Sequence, residues 1–222
     1  MSLNPEGKAQ VEIPPNAQKC TVAAGCFWGV EHLFRKNFEG KGLLEARVGY
    51  IGGDMNNPSY RAVCSGKTGR TSRHPFLPSH DVLIPSFKPP PPKTSSLDQA
   101  KLINPLDAES LQMTFNPDQL AYTTLLQFFY KMHDPTTPNR QGMDAGTQYR
   151  SAIFYHNEEQ KKEAEEVTRK VNEQWWKGKV ATEVLEAGRW WDAEDYHQEY
   201  LENNPGGYEC PAHFVRGFGE LK

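Results

Sequence analysis

The feature that most constrains the fold is a strand–helix–strand pattern that occurs twice along the chain. Alternating apolar residues favour strands, whereas apolar residues three or four positions apart favour helices. The predicted strands are residues 20–24, 43–51, 110–115, 151–156 and 182–185. The predicted helices are residues 27–38, 120–132 and 158–175. Two such units in series predict an α+β fold, in which helices back an antiparallel sheet.

A proline-rich stretch separates the two units. Residues 70–107 contain Pro75, a run of four prolines at 89–92 and many Ser, Thr and Lys residues. Because such a composition does not build a packed element, we expect a PPII-like or disordered insert. It is either a tolerated surface insertion or a docking segment for SH3-like partners. Residues 1–19 are then a flexible leader that lacks the pattern of a signal peptide, and 20–222 are a single domain interrupted by the insert.

Composition limits the classes of function and partner. A formal net charge of −3 and a pI near 6.2 give no basis for binding nucleic acid or an anionic membrane surface. No apolar run approaches the roughly 18 residues of a membrane span, and the expected location is the cytoplasm. The four cysteines are too few for a disulfide framework, and without a CxxC motif they predict no metal site.

Cys26 is the residue best placed for chemistry. It follows the β-prone run that ends at Ala24 and precedes the helical pattern of Val30, Leu33 and Phe34. A thiol at this junction lies at or near a helix N-terminus, where backbone N–H groups and the helix dipole stabilise a thiolate. The sequence therefore predicts an ionised, nucleophilic cysteine at position 26.

Five sequence blocks carry a resemblance to a known family. The segment from Gly25 to Glu31, which reads Gly-Cys-Phe-Trp-Gly-Val-Glu, resembles the active-site motif of peptide methionine sulfoxide reductases of type A. Those enzymes act on the S epimer of the sulfoxide. The other blocks follow in the order that this family shows: residues 49–61, 64–69, 133–150 and 193–198. The resemblance covers residues 20–69 and 108–215.

The resemblance implies reduction of methionine-S-sulfoxide, free or in proteins, to methionine. Cys26 would attack the sulfoxide sulfur and become a sulfenic acid, while Glu109 protonates the oxygen. Cys210, in a glycine-containing tail, would then form a disulfide with Cys26. Thioredoxin would reduce that disulfide by thiol exchange, so no metal or organic cofactor is implied. The expected molecule is a monomeric cytoplasmic enzyme of protein repair under oxidative stress. Its expected fold is a ferredoxin-like βαβ-βαβ core, with an antiparallel or mixed sheet, helices on one face, long loops and an irregular C-terminal tail.

The same resemblance assigns the substrate pocket. Phe27 and Trp28 would form the apolar wall that receives the S-methyl group, since an aromatic cup excludes water. Tyr60 and Tyr149 would hydrogen-bond the sulfoxide oxygen, and Asp144 would hold a water molecule or the substrate. The tandem tryptophans at 175–176 and 190–191 are interpreted as packing residues.

Several further residues receive supporting roles. Asp195 and His197 belong to the last block and are expected to support the site structurally. Glu31, one turn into the first helix, is expected to cap the helix or form a salt bridge. Cys20 and Cys64 are expected to be buried structural cysteines.

The insert falls inside the block that holds the acid. The family has one residue between the glycine of Thr-Gly and the alanine before the glutamate, where this chain has residues 70–107. The insert either loops out and leaves Glu109 anchored by the following strand, or is translated from an unspliced intron or misannotated sequence. If it displaces Glu109, the alternative function is a catalytically impaired, sulfoxide-binding redox sensor. A thiol peroxidase shares the sulfenic acid chemistry but does not account for the paired tyrosines.

Overall fold

The computed structural model describes residues 12–66 and 107–222. The strands of this part of the chain are β1 Gln18–Ala24, β2 Leu43–Ile51, β3 Ala108–Phe115, β4 Arg140–Gln141, β5 Asp144–Ala145, β6 Ser151–Tyr155, β7 Glu183–Glu186 and β8 Trp190–Asp192. The α-helices are α1 Phe27–Phe38, α2 Tyr60–Cys64, α3 Tyr122–Met132, α4 Glu158–Gln174 and α5 Tyr200–Asn203. Single 3₁₀ turns lie at Thr147–Tyr149 and Asp195–His197.

The main sheet has the strand order β7-β6-β1-β3-β2-β8. Its four inner strands, β6-β1-β3-β2, are antiparallel neighbours, which is the arrangement of a ferredoxin-like βαβ-βαβ core. At the edges, β7 pairs with β6 in parallel and β8 pairs with β2 antiparallel. The prediction of an α+β fold with a mixed sheet is therefore confirmed. Strands β1 and β3, which lead into Cys26 and carry Glu109, lie at the centre of this sheet.

Alternation along the strands sends one set of apolar side chains to the helices. On the helix side, Val22, Leu111 and Ile153 are fully buried in the main core. Helices α1 and α3 pack together on this face, where the rings of Phe34 and Phe128 meet edge to face at 5.0 Å. The neighbouring residues of the strands point to a second, smaller core on the opposite face of the sheet: Ala23, Ile51, Ala108, Ala152 and Phe154.

Helix α4 follows the rules of an amphipathic surface helix. Its N-cap residue Asn157 accepts a 2.8 Å hydrogen bond from the backbone N–H of Gln160. Ala164, Val167 and Val171 repeat at intervals of three and four residues and are buried against the core, as their spacing predicts. The remaining positions of the helix are mostly charged and exposed, so burial of one stripe holds this helix on the domain.

Some boundaries differ from the sequence-based expectation. Strand β1 begins at Gln18, within the expected leader, and β3 begins at Ala108, earlier than expected. Asp107, the last residue of the expected insert, is buried, and its Oδ1 accepts a 2.9 Å hydrogen bond from the backbone N–H of Gly53. The rest of the insert, like residues 1–11, lies outside the described residues. Among the described residues, no helix combines the length and apolarity needed to cross a membrane.

Candidate active site

Cys26 is held in a sharp junction between β1 and α1. Gly25 has φ +90°, a left-handed conformation that glycine adopts without steric cost. A Cβ at Gly25 would lie 2.5 Å from the Cβ of Gln141, so the chain also needs a glycine to pass this side chain. Cys26 is the N-cap residue of α1 and makes no side-chain capping hydrogen bond. Its side chain is 6% exposed. The thiol is therefore placed at the helix N-terminus, as predicted, and is enclosed.

The expectation of an ionised thiol is wrong for the structure without substrate. Burial raises the pKa of the Cys26 thiol above its ordinary value, and the negative charge of Glu109 raises it further. The backbone N–H of Trp28 lowers the pKa, but this effect is smaller than that of burial. A helix N-terminus lowers the pKa of a cysteine and apolar burial raises it, and at Cys26 burial is the larger effect. Cys26 is consequently a neutral thiol at pH 7 until its surroundings change.

Glu109 lies on β3 beside the helix that Cys26 begins. It is 1% exposed, and its Oε2 accepts a 3.3 Å hydrogen bond from the backbone N–H of Phe27. Its Oε1 has no hydrogen-bond partner. Burial raises the pKa of this carboxyl to about 8, against the lowering effect of the Phe27 N–H, and Asp144 adds a further increase. Glu109 is therefore protonated at neutral pH and can donate from the site interior. The displacement of Glu109 by the insert, considered above, is not what the structure shows.

An aromatic cluster stands beside the nucleophile. Phe27 is buried at the start of α1, and its ring lies 5.1 Å from that of His197 and 6.0 Å from that of Tyr50. The Trp28 ring stacks on Tyr200 with centroids 3.8 Å apart, and its Nε1–H donates a 3.0 Å hydrogen bond to His197 Nδ1. His197 thus contacts both aromatic residues, Phe27 through its ring and Trp28 through a hydrogen bond, in the supporting role that was predicted for it.

The two candidate tyrosines approach Glu109 from different segments. Tyr60 begins α2, and Tyr149 lies in the 3₁₀ turn that precedes β6. Burial raises the pKa of both phenols, and the charge of Glu109 raises each further. Both groups therefore keep their proton at neutral pH and can donate a hydrogen bond. The fold brings Cys26, Glu109 and the two phenols to one place.

Glu194 is a site residue that sequence reasoning missed. Its Oε2 accepts a 2.9 Å hydrogen bond from the Tyr50 hydroxyl, and its Oε1 accepts a 3.0 Å hydrogen bond from the backbone N–H of Tyr60. Burial raises its pKa, but these donors together with His197 outweigh burial and leave the pKa below its ordinary value. This carboxylate therefore fixes the start of α2 and thereby Tyr60. Its membership of the same block as His197 was the available signal.

Asp144 and Cys210 meet on the other side of the site. Asp144 accepts hydrogen bonds of 3.0 and 3.2 Å from the Tyr208 hydroxyl. The Cys210 thiol is 1% exposed and donates a 3.5 Å hydrogen bond to the backbone oxygen of Gln141. Burial raises the pKa of Cys210 to about 11, with Ala212 N–H lowering it and Asp144 raising it. Cys210 is free, as is Cys26, so the structure represents the reduced protein.

Four other expectations have mixed outcomes. Cys20 is buried as predicted, but Cys64 is exposed at the end of the short helix α2, because its neighbour Val63 takes the inward position. Glu31 is buried and pairs with Arg35 at 3.1 Å, so the salt-bridge interpretation is correct. Asp195 is exposed at the start of its 3₁₀ turn. Across residues 12–66 and 107–222, no group of three or more His, Cys, Asp or Glu side chains is arranged to hold a metal ion.

Comparison with known proteins agrees with this geometry. The family model described as peptide methionine sulfoxide reductase matches residues 18–72 and 98–218. The chain belongs to this family. A probable peptide methionine sulfoxide reductase of Schizosaccharomyces pombe is 39% identical over 201 residues, covering 90% of this chain and 96% of the relative. MsrA of Methanothermobacter thermautotrophicus is 40% identical over 189 residues, covering 85% and 88% of the two chains.

Solved structures of peptide methionine sulfoxide reductases share the fold. Reduced Mxr1 from Saccharomyces cerevisiae has a TM-score of 0.71 and 33% identity, and covers 93% of this chain and 96% of its own. Methionine sulfoxide reductase A of Corynebacterium diphtheriae has a TM-score of 0.67 and 28% identity, with 99% and 89% coverage. The family model resumes at residue 98, so the part of this chain that departs from the family is residues 73–97, shorter than the expected insert.

Proposed function

We propose that this chain reduces methionine-S-sulfoxide to methionine with Cys26 as the nucleophile, Glu109 as the acid and Cys210 as the resolving thiol. The observation that carries the proposal is the buried, protonated carboxyl of Glu109. It lies against the N-terminus of α1, with one oxygen free of hydrogen bonds, beside the Cys26 thiol. A sulfoxide oxygen is a poor leaving group until it is protonated, and this carboxyl can supply the proton in a site closed to water.

The first step transfers the sulfoxide oxygen to the Cys26 sulfur. Cys26 attacks the sulfoxide sulfur while Glu109 and the phenols of Tyr60 and Tyr149 stabilise the charge that develops on oxygen. The balance of this step is one thiol and one sulfoxide converted into one sulfenic acid and one thioether. The Phe27 and Trp28 rings form the apolar surface against which the S-methyl group packs. Asp144, which accepts a hydrogen bond from the Tyr208 hydroxyl, holds a water molecule or the substrate.

Recycling requires a second thiol and an external dithiol. Cys210 attacks the sulfenic acid at Cys26 to form a disulfide, and thiol–disulfide exchange with thioredoxin restores both thiols. Mxr1 of Saccharomyces cerevisiae has been crystallised in complex with Trx2. This complex supports a thioredoxin as the reductant of the present chain. We infer a cytoplasmic location, because the cycle depends on thiols that a reducing compartment keeps free.

Multiple turnover of an S-sulfoxide peptide, with dithiothreitol or thioredoxin as reductant, tests the proposal. Wild type should form methionine continuously and Cys26→Ser should form none. Cys64→Ser should stay close to wild type, since Cys64 is exposed and a serine hydroxyl can keep its hydrogen bond with Tyr60. Single-equivalent oxidation of Cys26 without turnover would favour the redox sensor instead. Hydrogen peroxide as an alternative oxidant tests a thiol peroxidase, which should consume peroxide faster than sulfoxide. Undiminished sulfoxide reduction by Cys26→Ser would refute the assignment.

A further inference from the structure

We propose that His213 is a positioning residue that holds Cys210 in place for its attack on oxidised Cys26. This inference rests on the proposed function and adds a residue of the C-terminal tail to the resolving step. His213 lies three residues after Cys210, and its backbone N–H donates a 2.9 Å hydrogen bond to the Cys210 carbonyl oxygen. The two residues therefore form one turn, and any group that anchors the His213 ring also anchors Cys210.

The His213 ring joins that turn to the segment that carries Cys26. Its Nε2 lies 2.6 Å from the backbone oxygen of Ala24, the last residue of β1. Ala24 is two residues before Cys26 in the chain. Because a carbonyl oxygen only accepts, Nε2 must carry the proton and donate it. A single hydrogen bond thus connects the resolving thiol's turn with the nucleophile's strand.

Two glycines of the Cys26 segment provide the space for this ring. A Cβ at Gly29, on the first turn of α1, would lie 2.5 Å from His213 Nδ1. A Cβ at Gly25 would lie 3.4 Å from His213 Nε2. The ring therefore sits directly on the backbone that flanks Cys26 on both sides. Packing against Gly25 and Gly29 and the hydrogen bond to the Ala24 oxygen together hold the ring in one position.

The protonation state of the ring agrees with this role. His213 Nδ1 is buried and has no hydrogen-bond partner. Burial lowers the pKa of His213, so the ring is neutral at pH 7 and keeps its proton on Nε2. The unpartnered nitrogen shows that the ring's polar contribution is the single bond to Ala24. A side chain that reproduces this one donor should reproduce the function.

The tail beyond His213 has its own attachment to the domain. The backbone N–H of Phe214 donates to the Met132 oxygen, and that of Arg216 donates to the Lys131 oxygen, both at 3.0 Å. These bonds hold the tail on the end of α3 without the His213 side chain. On the other side of Cys210, Gly206 has φ +85° in a turn at the surface. Loss of the His213 bond should therefore loosen the turn that carries Cys210 without detaching the tail, and leave the thiol with its long contact to the Gln141 oxygen.

The affected step is the formation of the disulfide. The Cys210 sulfur attacks the sulfur of the Cys26 sulfenic acid, the S–S bond forms and the S–O bond breaks. The oxygen leaves as water with the thiol proton of Cys210, so that Cys210 is oxidised and Cys26 is reduced. Its rate depends on the fraction of time that the two sulfurs are within reach and aligned. The preceding step, which forms methionine, does not involve Cys210.

A matched pair of amide substitutions separates the two steps. The side-chain nitrogen of His213→Gln can reach the position of Nε2, whereas the shorter His213→Asn leaves Ala24 without its donor. In single turnover without reductant, we expect all three proteins to form one equivalent of methionine at similar rates. We expect His213→Asn to form the disulfide at least about tenfold more slowly, with a sulfenic acid trapped by dimedone. His213→Gln should remain within about threefold of wild type. Cys210→Ser defines the level without any Cys26–Cys210 disulfide.

The outcomes distinguish this inference from the proposed function. Absence of methionine from wild type would overturn the proposed function itself. Normal methionine formation with equal disulfide rates in the Asn and Gln variants would overturn only the role of His213. A slower first step in His213→Asn with an unchanged disulfide step would also overturn it. The methionine burst reports a folded site in each variant, so a folding defect is recognised directly.

Discussion

At the scale of single residues, the ionisation of Cys26 depends on the charge of Glu109. Burial favours the neutral form of both groups, and a charge on Glu109 further opposes ionisation of Cys26. With the pKa of Glu109 near 8, the acid is protonated over the neutral range. Because a charged Glu109 opposes ionisation of Cys26, the carboxyl has to give up its proton to the sulfoxide as the sulfur attacks and not before. The pair is therefore set for a step in which attack and proton transfer occur together.

Glu109→Gln should slow methionine formation by about 10²–10⁴-fold, because it removes the proton donor but keeps the shape of the side chain. It should also make Cys26 more acidic, since the nearby negative charge is gone. Single-turnover kinetics measure the first effect, and the pH dependence of iodoacetamide alkylation measures the second. Slower methionine formation together with faster alkylation of Cys26 would show that the variant has lost the acid and kept the nucleophile.

The rate of methionine formation should decline through pH 8 in wild type and show no such decline in Glu109→Gln. In wild type, the pKa of Glu109 is raised from 4.5 to about 8, so methionine formation should fall as pH rises through 8. The stability contributed by the neutral folded carboxyl is complete below about pH 4.5 and is lost as pH rises towards 8. Glu109→Gln should show neither decline. A wild-type rate that rises without a break from pH 7 to pH 9 would contradict the assignment of this acid.

The sequence was a better guide to which residues lie near one another than to which of them are ionised. Cys26, Glu109 and Cys210 all lie where the motifs imply, on or next to well-defined elements. The ionisation of Cys26 was wrongly predicted because helix position is visible in a sequence, whereas enclosure depends on distant segments. Glu194 was missed for the same reason, since it contacts Tyr50 and Tyr60 across more than 130 residues of chain.

At the scale of elements, Glu31 connects α1 to the segment that enters α5. Its carboxylate pairs with Arg35 at 3.1 Å and accepts a 2.9 Å hydrogen bond from the backbone N–H of Glu199. Glu199 has φ +50°, a left-handed conformation that needs such support in a residue other than glycine. Burial raises the pKa of Glu31 to about 7, with Arg35 lowering it, so the pair is fully ionised only above neutral pH.

Glu31→Ala should lower the free energy of unfolding by about 1–3 kcal/mol, because it leaves the backbone N–H of Glu199 without its acceptor. It also removes one partner of Arg35, which keeps the Ala46 oxygen and the Glu199 carboxylate. Urea unfolding at pH 8, where Glu31 is ionised, measures the loss. Glu166→Ala removes an exposed partner of Arg169 in α4 and should change stability little. Equal stability of the two variants would show that the link between α1 and α5 does not depend on Glu31.

The elements with clear periodicity were predicted from the sequence, as was the short strand β7, whereas β4, β5, β8 and the short helices α2 and α5 were not. Strands β1, β2 and β6 and helices α1, α3 and α4 lie within a few residues of their expected positions. Strand β8 was missed because Trp190 and Trp191 lie in only three residues of strand, whose partner β2 is far away in the chain. Such a strand is specified by the edge that it pairs with rather than by its own pattern.

At the scale of the whole molecule, the described contacts that hold Glu109 come from β2, β3 and α1. Glu109 is fixed by the pairing of Tyr50 with Glu109 across β2 and β3 and by the N–H of Phe27. Asp107, bound to Gly53, marks the point at which the chain rejoins the fold. These contacts account for the position of the acid despite the 73–97 segment that the family model does not match.

Deletion of residues 70–106, with Asp107 retained, should leave the rate of methionine formation within about twofold of wild type. Because the sequence predicts an unstructured connection, shortening it should raise stability by about 2 kcal/mol through a smaller loop-closure cost. Single-turnover kinetics and urea unfolding measure these quantities. The same deletion combined with Asp107→Ala should lose about 1–3 kcal/mol, since it removes the Gly53 contact. A rate reduced more than tenfold by the deletion alone would show that the segment contributes to catalysis.

The central position of β1 and β3 protects the active site from local unfolding. Fraying in a sheet starts at its margins, here β7 and β8, and reaches the middle only on global unfolding. Cys26 and Glu109 are attached to the two innermost strands, so partial melting of the periphery leaves the reactive pair aligned. A catalyst that repairs oxidised molecules has to operate under the same chemical stress as its clients. Here the reactive residues lie in the part of the sheet that unfolds last.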